Sequence, residues 1–202
     1  DNAETIHNLG VALEHFGDWG GALAAFDATV QRDPQHTDGH WNRALAQLLH
    51  GQFAQGFTDY EWRFTRRQPE PRDCPQPRWD GSPLNGRTVL VWAEQGFGDA
   101  LQFLRFIPEV KRRGGRVVLE VLGEMMGLAA RIPGVDAVTQ RGLPPSALPA
   151  FDCHVPLMSL PHVLGTADDT LPTLVPYVHA DEARCRHWRE RLGQNGWQPA
   201  RE

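Results

Sequence analysis

In the run Glu94-Gln95-Gly96-Phe97-Gly98-Asp99 an aspartate follows two closely spaced glycines, directly after Thr88–Ala93, an apolar, β-branched stretch that reads as a strand. Glycines at 96 and 98 permit close approach of a substrate to the backbone. A carboxylate at the start of a helix is stabilised as the anion by the helix dipole and the free amides. Such a group can accept a proton or a hydroxyl hydrogen bond, and it repels phosphate. The loop is not a dinucleotide fingerprint, because Leu101 stands where the third glycine belongs, and no Gly-Lys-Ser/Thr follows to make a P-loop. Two roles stay open for Asp99: a general base acting on a hydroxyl, or only the cap of the helix that begins there.

Other groups with chemical potential are scattered. His154, at the end of a second apolar run, can hold a hydroxyl or phosphate in the same cleft as Asp99, or it is packing. His36 and His40 are four residues apart, and Cys185 lies beside His187, but neither pair has further ligands at recognisable spacing, so no metal is expected. No cofactor is expected either. Cys74, Cys153 and Cys185 are odd in number and contain no CxxC, which points away from a disulfide framework and towards a reducing, cytoplasmic compartment. Lys111, Arg112 and Arg113 complement the end of a helix.

To place Asp99 the chain must supply a strand before it and a helix after it. The pattern provides Thr88–Ala93 as strand, Leu101–Arg113 as helix, Arg116–Leu122 as strand, Glu124–Ile132 as helix and Val135–Thr139 as strand. This βαβαβ order predicts a parallel sheet, in which ligands bind beyond the carboxyl ends of the strands. Phe151–Val155 reads as a further strand. Met158–Leu164 reads as a short helix interrupted by Pro161, and Asp181–Leu192 as a last helix capped by Asp181 and stopped by Gly193.

The first third has a different construction. A shift of 34 residues lays Gly17 on Gly51, Trp19 on Phe53, Ala22 on Gly56 and Phe26 on Tyr60, with Gly10 on Ala44. Each period reads as two helices. Ile6, Leu9 and Leu13 give one apolar stripe, and Ala22, Ala25, Phe26 and Val30 another. Gly10 and Ala22 allow the helices to approach, with Phe26 beside them. Arg43 and Gln47 break the apolar pattern of the second period. Two such units bury little surface, so further repeats are expected before Asp1 and the second unit is expected to dock onto the α/β part, directly or through Trp79. Between the two parts, Pro69, Pro71, Pro75, Pro77 and Pro83 define a stiff connector.

Composition removes several classes of function. The 202 residues are 41% hydrophobic and 22% charged with a formal net charge of −5, and the cations are nearly all arginine, which suits a folded protein and not a dedicated nucleic-acid binder. No apolar run approaches the ~20 residues of a membrane-spanning helix. Because the sequence opens at Asp1 without an initiator Met, it is expected to be excised from a longer chain.

The first part resembles the tetratricopeptide repeat over residues 3–36 and 37–70. Trp79-Asp80-Gly81, the Gly86–Ala93 strand, the Glu94–Asp99 loop, Phe103, Arg105, Pro133-Gly134-Val135-Asp136, Phe151-Asp152 and Leu157–Pro161 together resemble bacterial proteins that join such repeats to a heptosyltransferase-like glycosyltransferase. The resemblance implies tetratricopeptide repeats over 1–68, a connector over 69–83, and over 84–202 a Rossmann-like acceptor-side domain, the N-terminal half of a GT-B fold. Asp99 matches the position of the proposed base, and Glu94, Gln95, Gly96, Phe97, Gly98 and His154 are the expected substrate contacts. The partners implied are a protein or glycan acceptor, with a nucleotide sugar bound only by the full-length parent. Lacking the donor half, this chain is expected to be inactive alone. The alternative is an interaction scaffold with a non-catalytic α/β domain.

Overall fold

The computed structural model describes residues 2–66, 72, 74–167, 169–173 and 175–195. The expected ends of the second repeat at 67–68 and of the whole chain, together with Pro69 and Pro71, lie outside these residues.

Four helices open the chain: α1 (Ala3–His15), α2 (Trp19–Arg32), α3 (Thr37–Leu49) and α4 (Phe53–Asp59), the last passing directly into a 3-10 turn, Tyr60–Thr65. α3 starts 34 residues after α1 and α4 starts 34 residues after α2. The turns within the two helix pairs, α1–α2 and α3–α4, each use a glycine with positive φ, Gly17 at 81° and Gly51 at 76°, a conformation that costs other residues strain. Asn2 and Asp18 cap α1 and α2 through their side chains, and His36 caps α3. Each helix packs on the next. A methyl group at Gly10 would lie 2.5 Å from Phe26 Cε1, and one at Gly56 would lie 2.7 Å from Leu48 Cγ, so small residues set these two helix separations.

The stripe buried on α1 is not the one the pattern suggested. Ala3, His7 and Gly10 face inward, while Leu9 is 54% exposed. Close approach selects small residues at the contact and leaves the large leucine outside. Arg43, the residue out of pattern in the second period, bonds Asp59 through two nitrogens at 2.6 and 3.0 Å, which supplies the partner its half-buried charge needs. Gln47 is buried.

The second part holds a four-stranded parallel sheet in the order β3-β2-β1-β4, made of β1 (Thr88–Trp92), β2 (Arg116–Val121), β3 (Ala137–Gln140) and β4 (Cys153–Pro156). Helix α5 (Phe97–Phe103) follows β1 and α6 (Ile107–Arg112) follows α5 across a 3-10 turn. The expected single helix is split here because Pro108 has no amide to donate and begins a new helix. A 3-10 turn, Gly123–Met125, leads into α7 (Met126–Ala129). After β4 a further 3-10 turn leads into α8 (Leu160–Val163), which Pro161 starts and does not interrupt. α9 (Glu182–Gln194) is capped by Asp181 as expected, but runs through Gly193 to an end at Asn195. Among the described residues no helix is long and apolar enough to cross a membrane.

Alternation along the strands divides the sheet into two faces. Val89, Val91, Val117, Leu119, Val121, Cys153 and Val155 join Ala100, Phe103, Leu104, Ile107 and Val110 in one core, which also takes in Ala44, Phe57, Tyr60 and Trp79. The helical array and the sheet therefore share a core, and Phe57 meets Phe103 edge to face with ring centres 6.3 Å apart. Leu90, Trp92, Val118, Glu120 and His154 form the other buried face.

The connector is built into the sheet domain. Trp79 is 3% exposed, its indole donates to Ser82 O at 2.9 Å, and Pro77–Trp79 runs parallel along the free side of β4, with Trp79 N on His154 O and His154 N on Pro77 O. Gly81, at φ 88°, lies so close to Val163 that a methyl group would stand 1.9 Å from its carbonyl oxygen.

Candidate functional site

In the order β3-β2-β1-β4 the chain leaves β1 for one side of the sheet and later returns to the other, so the switch point lies between β1 and β4. Ligands of open parallel sheets bind in the crevice beyond the carboxyl ends of such strands. Here that crevice receives the chain's own Arg63, carried on the 3-10 turn after α4. The guanidinium is wholly buried and donates to Glu94 Oε1 at 2.8 Å, Ser159 Oγ at 2.6 Å, Tyr60 O at 3.0 Å and Glu61 Oε1 at 2.7 Å. Glu61 also takes Arg78 at 2.6 Å, and Arg78 shares Ser159 at 2.8 Å. Burial pushes the Glu94 carboxyl above its ordinary value, against the pull of Arg63. Burial likewise raises the Tyr60 phenol.

The loop after β1 is anchored at its root and open at its tip. Gln95 Nε2 donates to Tyr60 Oη at 3.2 Å, and Arg141, beyond β3, reaches Gln95 O at 3.4 Å. Gly96 is the N-cap of α5, and Asp99 sits at the third helical position, its Oδ2 accepting from Gly96 N at 3.2 Å. Asp99 thus closes the first turn from inside the helix and is not itself the N-cap. Oδ1 has no hydrogen bond among the described residues. Gly96 and Gly98 are exposed, and Phe97 is 44% exposed. Phe97 forms one wall of a cleft of about 350 Å³ whose other walls include Leu128, Arg131, Arg184 and Trp188. Trp188, 51% exposed, offers an aromatic face there.

The expected contacts separate into two groups. Gln95, Gly96, Phe97, Gly98 and Asp99 lie together at the carboxyl end of β1. Glu94 lies beneath them, its side chain buried against Arg63. His154 is not brought to Asp99: it pairs with Leu90 in mid-sheet and faces the side away from α5. There its Nδ1 accepts from Trp92 Nε1 at 3.1 Å, and burial, then the cations Arg78 and Arg72, lowers its pKa. On the same face Glu120, pushed up by burial, pairs with Arg72.

The aspartates of two other motif segments serve the opposite end of the sheet. Asp136 Oδ2 accepts from Val117 N at 2.7 Å and from Lys111 Nζ at 2.7 Å, and Asp152 Oδ2 accepts from Thr88 N at 2.7 Å. Each stands just before its own strand and ties down the start of the neighbouring one. Arg63, which fixes the site's root, escapes the sequence reading; Tyr60 enters it only as a repeat position and Ser159 only within the Leu157–Pro161 segment. The signal for Arg63 is a cation inside the aromatic run Tyr60-Glu61-Trp62-Arg63-Phe64.

No family model matches the chain. Among curated proteins it is similar to Protein FlbA of Caulobacter vibrioides, with 27% identity over 223 residues that take in 97% of this chain and 36% of FlbA. The chain thus spans about a third of the length of that relative. Among solved structures, a mutant of the O-GlcNAc transferase of Thermobaculum terrenum aligns with 68% of this chain and 34% of its own, at 16% identity and a TM-score of 0.28.

Proposed function

We propose that the chain is the acceptor-side part of a glycosyltransferase-like protein. In this reading tetratricopeptide repeats span residues 1–68, a connector spans 69–83, and a Rossmann-like domain of the GT-B kind spans 84–202. The observation that carries it is the placement of Asp99: a half-buried carboxylate beyond the carboxyl end of β1, one oxygen held by Gly96 N, beside an open loop and cleft. The 34-residue offset of the helix pairs supports the repeat assignment.

The acceptor hydroxyl approaches over Gly96 and Gly98, hydrogen-bonds Asp99 Oδ1 and loses its proton to that oxygen as it attacks the anomeric carbon. The bond to the nucleotide leaving group breaks on the opposite side, with inversion. Stabilising that leaving group takes cationic and hydrogen-bonding groups across the cleft, and the described residues hold a single sheet. The 202-residue chain alone is therefore expected to transfer no sugar, and the nucleotide sugar belongs to the full-length parent. Phe97 and Gln95 border the acceptor, while Glu94 and His154 support the loop and sheet from beneath. The helical array presents the protein or glycan partner.

The test is Asp99→Asn in the full-length protein. Asparagine keeps an acceptor for Gly96 N but no basicity, so turnover is expected to fall by about 10²–10⁴ with the melting temperature unchanged. Near-normal turnover, or loss of folding, would reduce Asp99 to a structural role. One observation favours a non-catalytic scaffold as the second reading: Arg63 fills the switch-point crevice. Binding of a nucleotide sugar by the full-length protein separates the two.

A further inference from the structure

Glu4 and His7 stand one turn apart on α1, and the loop from α2 into α3 brings His36 to them. One oxygen of Glu4 and one ring nitrogen each of His7 and His36 lie within 4.8 Å of one another. His36 Nε2 is 3.1 Å from Glu4 Oε2, and the two imidazole centres are 5.0 Å apart. Nitrogen and oxygen ligands at about 2.0–2.2 Å from a tetrahedral ion are roughly 3.3 Å from each other. The Glu4–His36 pair already has that separation, and the widest gap in the group exceeds it by about 1.5 Å at most.

A second observation concerns His7. It is 8% exposed, and its buried Nδ1 has no hydrogen-bond partner, a costly state for a polar atom. Its Nε2 accepts from Asn42 Nδ2 at 2.9 Å, which leaves the ring hydrogen on Nδ1. Binding through Nδ1 takes a half-turn of the Asn42 amide, which brings Asn42 Oδ1 to Nε2, moves the ring hydrogen there and leaves a lone pair on Nδ1. A metal-ligating histidine is oriented through its second nitrogen in this way.

We propose that Glu4, His7 and His36 form a binding site for a divalent transition ion of the zinc type, with a fourth position open to water. Two imidazoles and one carboxylate suit zinc, whereas calcium and magnesium take oxygen ligands. His36 has a competing task, since its Nδ1 accepts from Gly39 N at 2.9 Å and caps α3. Coordination through Nε2 shifts the ring hydrogen to Nδ1 and gives up that cap. Asp38 adds negative charge near His7, and Arg66, paired with Asp38 at 2.9 Å, opposes it. The bound ion ties α1 to the entry of α3, and so joins the first helix pair to the second.

The experiment titrates zinc chloride into the metal-free 202-residue chain at neutral pH, followed by calorimetry and melting temperature. One ion per chain and a higher melting temperature are expected. Asn42→Ala is expected to weaken binding about 10–100-fold, and Glu4→Gln and His36→Gln at least as much. Glu4 is exposed, so Glu4→Gln separates lost binding from lost folding: its melting temperature in chelator should equal that of the parent. Absence of binding, or zinc binding that is unchanged in Glu4→Gln and His36→Gln, overturns the site.

Discussion

Arg63 is buried and joins Tyr60, Glu61, Glu94 and Ser159 at the switch point. Its charge is buried against Glu94, and removing one member of such a pair leaves the other without compensation. Arg63→Met is expected to cost about 3–5 kcal/mol in urea unfolding, and adding Glu94→Gln should recover a large part of that. Additive effects of the two changes would show that the pair is not coupled. Asp136 behaves differently with pH. Its carboxyl loses some solvation, but the Lys111 ammonium and the Val117 amide together hold it below the ordinary aspartate value. A depressed folded-state pKa gives stability that is present above the unfolded value, ~4, and lost as pH falls through the folded one. Asp136→Asn should therefore flatten the acid limb of melting temperature against pH, and an unchanged limb would count against this account. The setting of Asp99 between a strand and a helix start was legible in the sequence because its neighbours in the chain define it. Arg63 was not, because its partner lies 31 residues away and only the tertiary fold brings them together.

At the scale of the element, helix α1 is placed by what it lacks. Gly10→Ala adds helix propensity of about 1 kcal/mol, yet the new methyl would stand 2.5 Å from Phe26 Cε1. Overpacking of that kind costs about 1–3 kcal/mol. A lower urea midpoint is expected, with recovery when Phe26→Leu is added; a more stable Gly10→Ala protein would mean that α1 and α2 separate freely. The helix pairs were readable from the period of small and aromatic residues. The stripe expected on α2 is the one buried, whereas on α1 hydrophobicity favoured Leu9 where close contact required Ala3 and His7 beside Gly10. The strands were readable from their β-branched runs, while Pro108 split a helix that apolar spacing left continuous, and Pro161 starts α8 where an interruption was expected.

For the whole molecule, one core runs from Ala44 and Phe57 through Trp79 to the sheet. The helical array and the α/β part are accordingly expected to unfold in a single transition, with far-UV dichroism and tryptophan fluorescence coinciding. Two resolved transitions would show that the shared core is energetically minor. Docking of the array could be anticipated from its uncovered apolar end. Its destination at the switch point could not, since a strand order emerges only when β4 returns beside β1. The pairing of Pro77–Trp79 along β4 also bears on how copies of this protein meet. A sheet edge is a template on which another chain can add a strand. On the β4 side the backbone groups of His154 are already taken, and Pro77 has no amide to offer a newcomer. Among the described residues the edge left open is β3, four residues long, so sheet-to-sheet aggregation has little to grow from.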